Sequence, residues 1–457
     1  MSEQLSFSNW HRNLMERDAL AVLGWRYQPR IIFSRGHGIV IIDVDGNGYY
    51  DMSSGMMALP LGHAHPEIVE TIREQAGEFM HESSWYSNPW AIEFAELIGS
   101  TLPAGLKLVN FAVTGSEANE IAMRIALSAT HKFDIVSVIR GLHGGTLAVE
   151  AMTTVGGARR KGLGPLTIPA SRNAVLAPFC YRCPVNLTYP SCNIACLEAS
   201  ETLLEHLTSK EIAAIIAEPI LVPGGMIVPP DGWLKRLKAL AERWGALLIL
   251  DEAQLAPART GKMWGFLHED VVPDIVTFAK GLSGGMAICG AVTTSALAER
   301  AVGNLGLPWS GTYPADPLPS AVALKNLQIV LRDKLDERAA RLGGILRHKL
   351  DALKRKHECV GDVRGRGLYQ MLDIVKDKRS KTPDPAMAER IRYNAVRERA
   401  IFICVKNFIR FCPPLIITEA ELDEAVGRLE RAIQCAERGE PKDLDFSSSS
   451  SLAAAVP

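Results

Sequence analysis

The chain of 457 residues has no excess of charge of either sign, since 50 Lys and Arg stand against 51 Asp and Glu. Without a basic field there is nothing to hold nucleic acid or an anionic membrane. Long apolar runs are missing too. Stretches such as Ala246 to Leu250 fall far short of the roughly 20 residues a spanning helix needs. The first residues, MSEQLSFSNWHR, lack the cationic patch and apolar core of a secretory signal, and the final AVP matches no retention or peroxisomal address. These absences lead to the expectation of a cytoplasmic protein.

Cysteine is sparse and its number, nine, is odd, which excludes a disulfide scaffold. Four of the nine cluster as Cys180, Cys183, Cys192 and Cys196, with two, eight and three residues between them. Thiolates can close a tetrahedron around zinc. This spacing, however, is not that of paired C-x-x-C knuckles, so the expectation is a loop of free thiols and no bound metal.

What is present is the alternation of an α/β protein. From about Pro66 to Ala301, short apolar runs alternate with amphipathic helical patterns. Pro66 opens a helix marked by Ile68, Ile72, Ala76 and Phe79. Ile135 to Ile139, Ile212 to Ala217, Ala246 to Leu250 and Ile275 to Ala279 read as buried strands. Leu234, Leu237, Ala241 and Trp244 form the inner face of an intervening helix. Near-continuous apolar strands separated by helices imply a mostly parallel sheet covered on both sides. After about Pro317 the texture changes to a long helix, Ser320 to about Arg355, then strand-like segments and a last helix near Glu421 to Ala436. The early run IVIIDVDGNGYYDM carries the turn signals Asp45-Gly46 and Asn47-Gly48 of a hairpin. The expected division is an arm with part of a small domain over 1–60, a large domain over 61–316, a smaller discontinuous α+β domain completed by 317–440, and a disordered tail over 441–457.

In an open parallel sheet the site lies beyond the carboxyl ends of the strands. Those ends lead here into Gly141-Leu142-His143-Gly144-Gly145-Thr146, Glu218-Pro219, Asp251-Glu252-Ala253-Gln254 and Lys280-Gly281. Just upstream, Thr114-Gly115-Ser116-Glu117 begins a helix, and its N–H groups offer a seat for phosphate. A buried Asp251 is costly unless paired, and a protonated ring nitrogen would suit it. Lys280, if desolvated, can serve as a neutral amine able to form an imine. Each feature alone is common: many helices begin this way, Asp251 alone reads as a cap, and a lone lysine is usually solvated. Together they define a chemistry.

The runs SGMMALPLGHAHP, TGSEANE, AEPI, LILDEAQ, ARTGKM, FAKGLSGG and VRGRGL, in this order, resemble the class III (subgroup II) aminotransferases of fold type I, which use pyridoxal 5′-phosphate. The resemblance covers about residues 25 to 437. Within that group EPIL, LLILDEAQ, ADPLPSAV, GDVRGRG, DIVKDKR and CPPLIITEAELD are most similar to the 2,2-dialkylglycine decarboxylases. The resemblance implies that Lys280 is the Schiff-base lysine and Asp251 the partner of the pyridine nitrogen. It assigns Gln254 to the ring hydroxyl and Gly115 and Ser116 to the phosphate, with Thr312 reaching the phosphate from a neighbouring subunit of a homodimer. His143 and Glu252 follow the family pattern in supporting roles. Arg410 corresponds to the arginine that grips the substrate α-carboxylate, and Glu218 to a glutamate that pairs with it in some relatives. Trp85 and Tyr86 would be lent by the partner.

Two departures stand out. Leu142 occupies the place where the family has an aromatic ring stacked on the cofactor, forfeiting about 0.5–1.5 kcal/mol of stacking. Met56 replaces the decarboxylases' glutamine and cannot donate its hydrogen bonds, which counts against simple decarboxylation. Pro223 likewise stands near a decarboxylase serine. The implied activity is transamination of a small or α,α-disubstituted amino acid with a 2-oxo acid acceptor. The alternatives are a racemase or carbon–carbon lyase on the same cofactor, or a degenerate binding subunit.

Overall fold

The computed structural model describes residues 7–22, 30–156, 173–305 and 311–439. The tail expected to be disordered, 441–457, lies outside them, as do the first residues of the chain. The chain divides into two compact units, one built from Met1–His65, Leu342–Val363 and Leu368–Pro457, the other from Pro66–Arg341 and Arg364–Gly367.

The larger unit is organised by a seven-stranded sheet. Its strands are β1 (Leu106–Ala112), β2 (Asp134–Val138), β3 (Ala174–Val175), β4 (Ile212–Ala217), β5 (Leu247–Asp251), β6 (Ile275–Phe278) and β7 (Cys289–Thr294), in the order β1-β7-β6-β5-β4-β2-β3. The pairs from β6 across to β3 are parallel. β7 is antiparallel to both of its neighbours, so β1 runs in the same direction as β6. Every strand except β7 therefore ends on one edge. Every residue of β2, β4 and β6 is buried, as expected for apolar strands covered on two faces. The helix α1 (Gly115–Thr130) lays Ile121, Ala122, Ile125 and Ala129 against Ile135, Ala214, Ile249 and Ile275 of the sheet. A second helix, α2 (Trp233–Arg243), buries Trp233, Leu234, Leu237, Leu240 and Ala241.

The expected boundary at residue 317 is corrected. The stretch read as one helix is two, α3 (Pro317–Arg332) and α4 (Leu335–Lys356), separated by Asp333 and by Lys334 at φ +48°. α3 belongs to the larger unit, which extends to Arg341. Its Ser320, Ala321, Ala323, Leu324 and Leu327 are buried, and it packs on the helices Pro66–Glu78 and Pro89–Ser100. Its apolar face is consumed there, which leaves it unavailable to a second core.

The smaller unit contains two four-stranded sheets. In one, Val40–Asp43 and Gly48–Asp51 form the expected hairpin, with Ile41 opposite Tyr49. The Asp43 side chain organises its turn, accepting from Asp45 N at 3.0 Å, Asn47 N at 2.8 Å and Tyr49 OH at 3.0 Å. In the other, Tyr369–Ile374 and Ile403–Val405 flank Phe408–Phe411 in antiparallel pairs.

Candidate active site

The common strand edge of the larger unit gathers the polar residues. β5 ends on Asp251, which lies opposite Thr277 of β6. Three donors converge on its buried carboxylate: Asn119 Nδ2 at 2.9 Å and His143 Nδ1 at 2.9 Å on one oxygen, and Ala253 N at 3.0 Å on the other. Asn119 is itself fixed, since its Oδ1 accepts from Thr277 Oγ1 at 2.7 Å and its Nδ2 also donates to His143 O at 2.7 Å. The side chain of residue 251 is thus held from α1, from the loop after β2 and from the turn after β5. Only acceptors are offered by a carboxylate, and only donors meet it here. Nε2 of His143 is buried and has no hydrogen-bond partner among the described residues.

Sequence alone assigns no role to Asn119 or Thr277. The available signal was a polar residue on the otherwise apolar inner face of α1, between Ala118 and Ile121. Such a residue must find a partner when buried, but sequence does not say which.

Lys280 lies two residues beyond β6. It is half-buried and takes φ +45°, a region that costs a non-glycine residue energy and that clusters at functional sites. Ala118, Ala253, Ala279 and Cys289 pack together at the foot of this turn. Gly115 is tight against it, because a Cβ there would lie 3.2 Å from that of Ala279. The helix start is made by a capping box: Glu117 N donates to Thr114 Oγ1 at 3.2 Å and Thr114 N to Glu117 Oε2 at 2.9 Å. That uses the N–H of Glu117 and leaves those of Gly115 and Ser116 at the positive end of the helix. Gly144 closes on the same place, since a Cβ on it would sit 2.3 Å from Ser116 Oγ, which accepts from Gly145 N at 3.0 Å.

Two further acids line the edge. Glu218 is buried and accepts from Leu142 N at 2.9 Å and Val222 N at 3.3 Å. Burial, then the nearby Asp251 charge, pushes its carboxyl well above the usual range, with Lys280 acting in the opposite sense. Glu252 is fully buried; it accepts from Gly265 N at 2.9 Å and Phe266 N at 2.8 Å, and burial raises it to about 7. Gln254 is buried, and Leu142 half-buried. Trp85 is 87% exposed and Thr312 is exposed as well. Their segments are joined by His81 Nδ1 to Asp316 Oδ1 at 2.8 Å and by Asn88 Nδ2 to Ala315 O at 2.8 Å.

Met56 and Arg410 belong to the smaller unit. Residues 54 to 57 form a left-handed turn, with φ of 49°, 56°, 65° and 67°. Asp51 anchors it through Ser53 N at 2.8 Å, Gly55 N at 2.9 Å and His63 Nε2 at 2.8 Å. Met56 stands outward, 49% exposed. Arg410, on Phe408–Phe411, is buried, and its Nε has no partner among the described residues. The strand carrying it meets the turn where Cys412 N donates to Met52 O at 3.0 Å and Ser54 Oγ to Cys412 O.

A model of the aminotransferase class III family matches residues 24–433. The chain is 30% identical over 426 residues to a probable 4-aminobutyrate aminotransferase of Bacillus subtilis, covering 92% of this chain and 96% of that one. It is 32% identical over 425 residues to a leucine/methionine racemase of Thermococcus litoralis, covering 91% and 93%. Its fold matches the crystal structure of a thermostable (S)-enantioselective omega-transaminase from Thermomicrobium roseum with a TM-score of 0.87 and 30% identity, over 94% of this chain and 100% of that one. The protein belongs to the class III aminotransferases, with the fold of type I enzymes, and its cofactor is pyridoxal phosphate. Amino acids and oxo acids are the substrates of such enzymes. No helix among the described residues is long and apolar enough to cross a membrane.

Proposed function

We propose that the protein transfers the amino group of a small amino acid bearing an α-hydrogen to a 2-oxo acid, working as a homodimer. The observation that carries this reading is the convergence of Asn119, His143 and Ala253 on Asp251, one strand away from the strained Lys280. Bound pyridoxal phosphate supplies an electron sink for charge released at the substrate Cα. Asp251 would hold the ring nitrogen in its protonated form, and its three donors would keep the carboxylate from swinging away. Gly115 N and Ser116 N would hold the phosphate, Gln254 the ring hydroxyl, and Leu142 would cover the ring face. The Nζ of Lys280 would take the proton from the substrate Cα and return it at the cofactor carbon that receives the amine. Arg410, with an unsatisfied Nε, is the candidate for the substrate carboxylate, and Glu218, held by Leu142 N and Val222 N, is a candidate acid at the strand edge.

Met56 favours transamination over decarboxylation of 2,2-dialkylglycines. The position has no group to hold a carboxylate perpendicular to the ring. The exposed aromatic residues Trp85, Tyr86 and Tyr313, on two segments fastened to each other and the last of them adjacent to Thr312, support a dimer in which these residues complete the partner's site.

The racemase reading is supported by the similarity to the Thermococcus litoralis enzyme and to an alanine/serine racemase of Pyrococcus horikoshii. Against it stands Leu142, which offers no proton donor on the ring face it would cover. The test is a half-reaction with L-alanine and with 2-aminoisobutyrate, monitoring absorbance, CO₂ and product chirality. Alanine is expected to convert the cofactor to its amine form, without CO₂ from 2-aminoisobutyrate. D-Alanine accumulating with no change of cofactor form would replace transamination with racemisation. CO₂ release would restore the decarboxylase reading.

A further inference from the structure

The donors that meet Asp251 divide unequally between its two oxygens. Oδ2 takes both side-chain donors, Asn119 Nδ2 and His143 Nδ1, each at 2.9 Å. Oδ1 takes one backbone donor, Ala253 N at 3.0 Å. An ionised carboxylate offers about four acceptor sites, shared equally between its oxygens. The donors among the described residues fill both sites on Oδ2 and leave one open, on Oδ1.

Asn119 sets this division, and each of its own polar atoms is fixed. Its Nδ2 donates to two groups that can only accept, Asp251 Oδ2 and, at 2.7 Å, His143 O. Its Oδ1 faces the hydroxyl of Thr277, which donates to it at 2.7 Å. Turning the amide over would set its oxygen against two acceptors, so only one orientation is favourable. By holding the His143 backbone as well, one amide places both side-chain donors of Oδ2. Asn119 is 1% exposed and Thr277 0%, and a buried network with its bonds made specifies one arrangement. Thr277 lies directly opposite Asp251 in the β5–β6 pair, yet its hydroxyl hydrogen goes to Asn119. The lock is assembled from α1, β5 and β6.

We propose that Asn119, oriented by Thr277, is a positioning residue that closes Oδ2 of Asp251 and reserves Oδ1 for the ring nitrogen of pyridoxal phosphate. The inference rests on the reading of Asp251 as the partner of that nitrogen. Asn119 and Thr277 act through the carboxylate, not on the substrate. A carboxylate free to turn either oxygen to the ring would have to be ordered as the cofactor enters, and ordering a group on binding costs affinity. Here the choice of oxygen is made before the cofactor arrives.

The test compares the Kd of the full chain for pyridoxal phosphate with its Kd for the deaza analogue, in which a CH group replaces the ring nitrogen. Wild type should prefer the natural cofactor by roughly 10- to 150-fold, the weight of a charge-assisted hydrogen bond. Asn119→Ala should cut that preference by about 2- to 12-fold, the weight of one ordinary hydrogen bond. Thr277→Val, nearly the same shape and the second route should Asn119→Ala fold poorly, should cut it by less. Thr277→Ser keeps the hydroxyl and should match wild type. A purely structural loss weakens both ligands alike and leaves the ratio unmoved, so the ratio isolates coupling to the ring nitrogen. An unchanged or larger preference in Asn119→Ala and Thr277→Val would overturn the proposal while leaving the pairing of Asp251 with the ring intact. A Thr277→Ser ratio that falls with that of Thr277→Val would overturn the part given to the hydroxyl. Wild type that binds the two ligands equally would overturn the pairing itself, and the proposal with it.

Discussion

The two units each bury a histidine against an aspartate, and the two pairs differ in what they leave undone. In the smaller unit His11 Nδ1 meets Asp45 Oδ2 at 2.9 Å, and Ile32 N closes the other ring nitrogen at 2.9 Å. In the larger unit His143 Nδ1 meets Asp251 Oδ2 at the same 2.9 Å, yet Nε2 stays without a partner among the described residues. Two arginines within the smaller unit differ in the same way. Arg347 donates from Nε to Gln370 Oε1 at 2.9 Å and from Nη1 to Val363 O at 3.0 Å, whereas buried Arg410 keeps an unused Nε. An unmet buried polar group costs about 1–3 kcal/mol, and such atoms occur away from the strand edge too, as at His357 Nε2 and Arg390 Nε. Open valences at the strand edge and on Arg410 are tolerable where a ligand arrives to fill them.

Substituting the two aspartates separates these roles most sharply. Asp251→Asn should lower kcat by about 100- to 1,000-fold, the scale of losing one preorganised electrostatic partner, beside a stability loss of about 1–3 kcal/mol from the donors that then face an amide. Asp45→Asn should leave kcat unchanged and reduce stability by about 1–3 kcal/mol, read from thermal and denaturant unfolding. Equal kinetic losses in both would erase the distinction. Next in size is Arg410→Lys, which keeps the charge but loses the fork. KM for alanine should rise about tenfold or more, the weight of a charge-assisted hydrogen bond, with a smaller effect on kcat. An unchanged KM would remove Arg410 from the substrate site.

Much of this was legible in the sequence for a simple reason. Strand ends in a parallel sheet can be read directly from apolar runs, and Asp251, Glu218 and Lys280 come immediately after such runs. The illegible part depends on partners distant in the chain. Asn119 is one helix turn from Gly115, but its meaning comes from Asp251 and Thr277, 132 and 158 positions away. The boundary near residue 317 misled because a change of texture marks where the strands stop, not where a core stops. α3 is helical like its successor α4, yet spends its apolar face on the helices Pro66–Glu78 and Pro89–Ser100. The left-handed turn holding Met56 was hidden as well, since Gly55 alone of its four residues advertises positive φ.

The pH dependence of stability gives a third and smaller contrast. Glu252 is raised by burial from 4.5 to about 7. A folded value above the unfolded one means its contribution is complete below the unfolded pKa and is lost as pH rises through about 7. Wild-type Tm should therefore decline between about pH 5 and 7, with Glu218 adding in the same direction. Glu252→Gln should flatten that decline, at a constant cost of about 1–3 kcal/mol for the backbone N–H that then faces an amide. A decline of unchanged slope in the variant would show that the loss originates elsewhere.

The smallest effect belongs to the residue that departs most visibly from its family. Leu142 is half-buried and tied through its N–H to Glu218 at 2.9 Å, so its backbone place does not depend on the side chain. Leu142→Phe should then keep the loop and add only ring stacking, about 0.5–1.5 kcal/mol, or a roughly 2- to 12-fold fall in the Kd for the cofactor. Measuring that Kd alongside the racemisation-to-transamination ratio makes the substitution informative in both directions. Tighter cofactor binding with an unchanged ratio means the aliphatic residue forfeits affinity without steering the reaction. A ratio that moves toward transamination means the thinner cover had left the ring face open to solvent protons, giving Leu142 a part in choosing which product leaves.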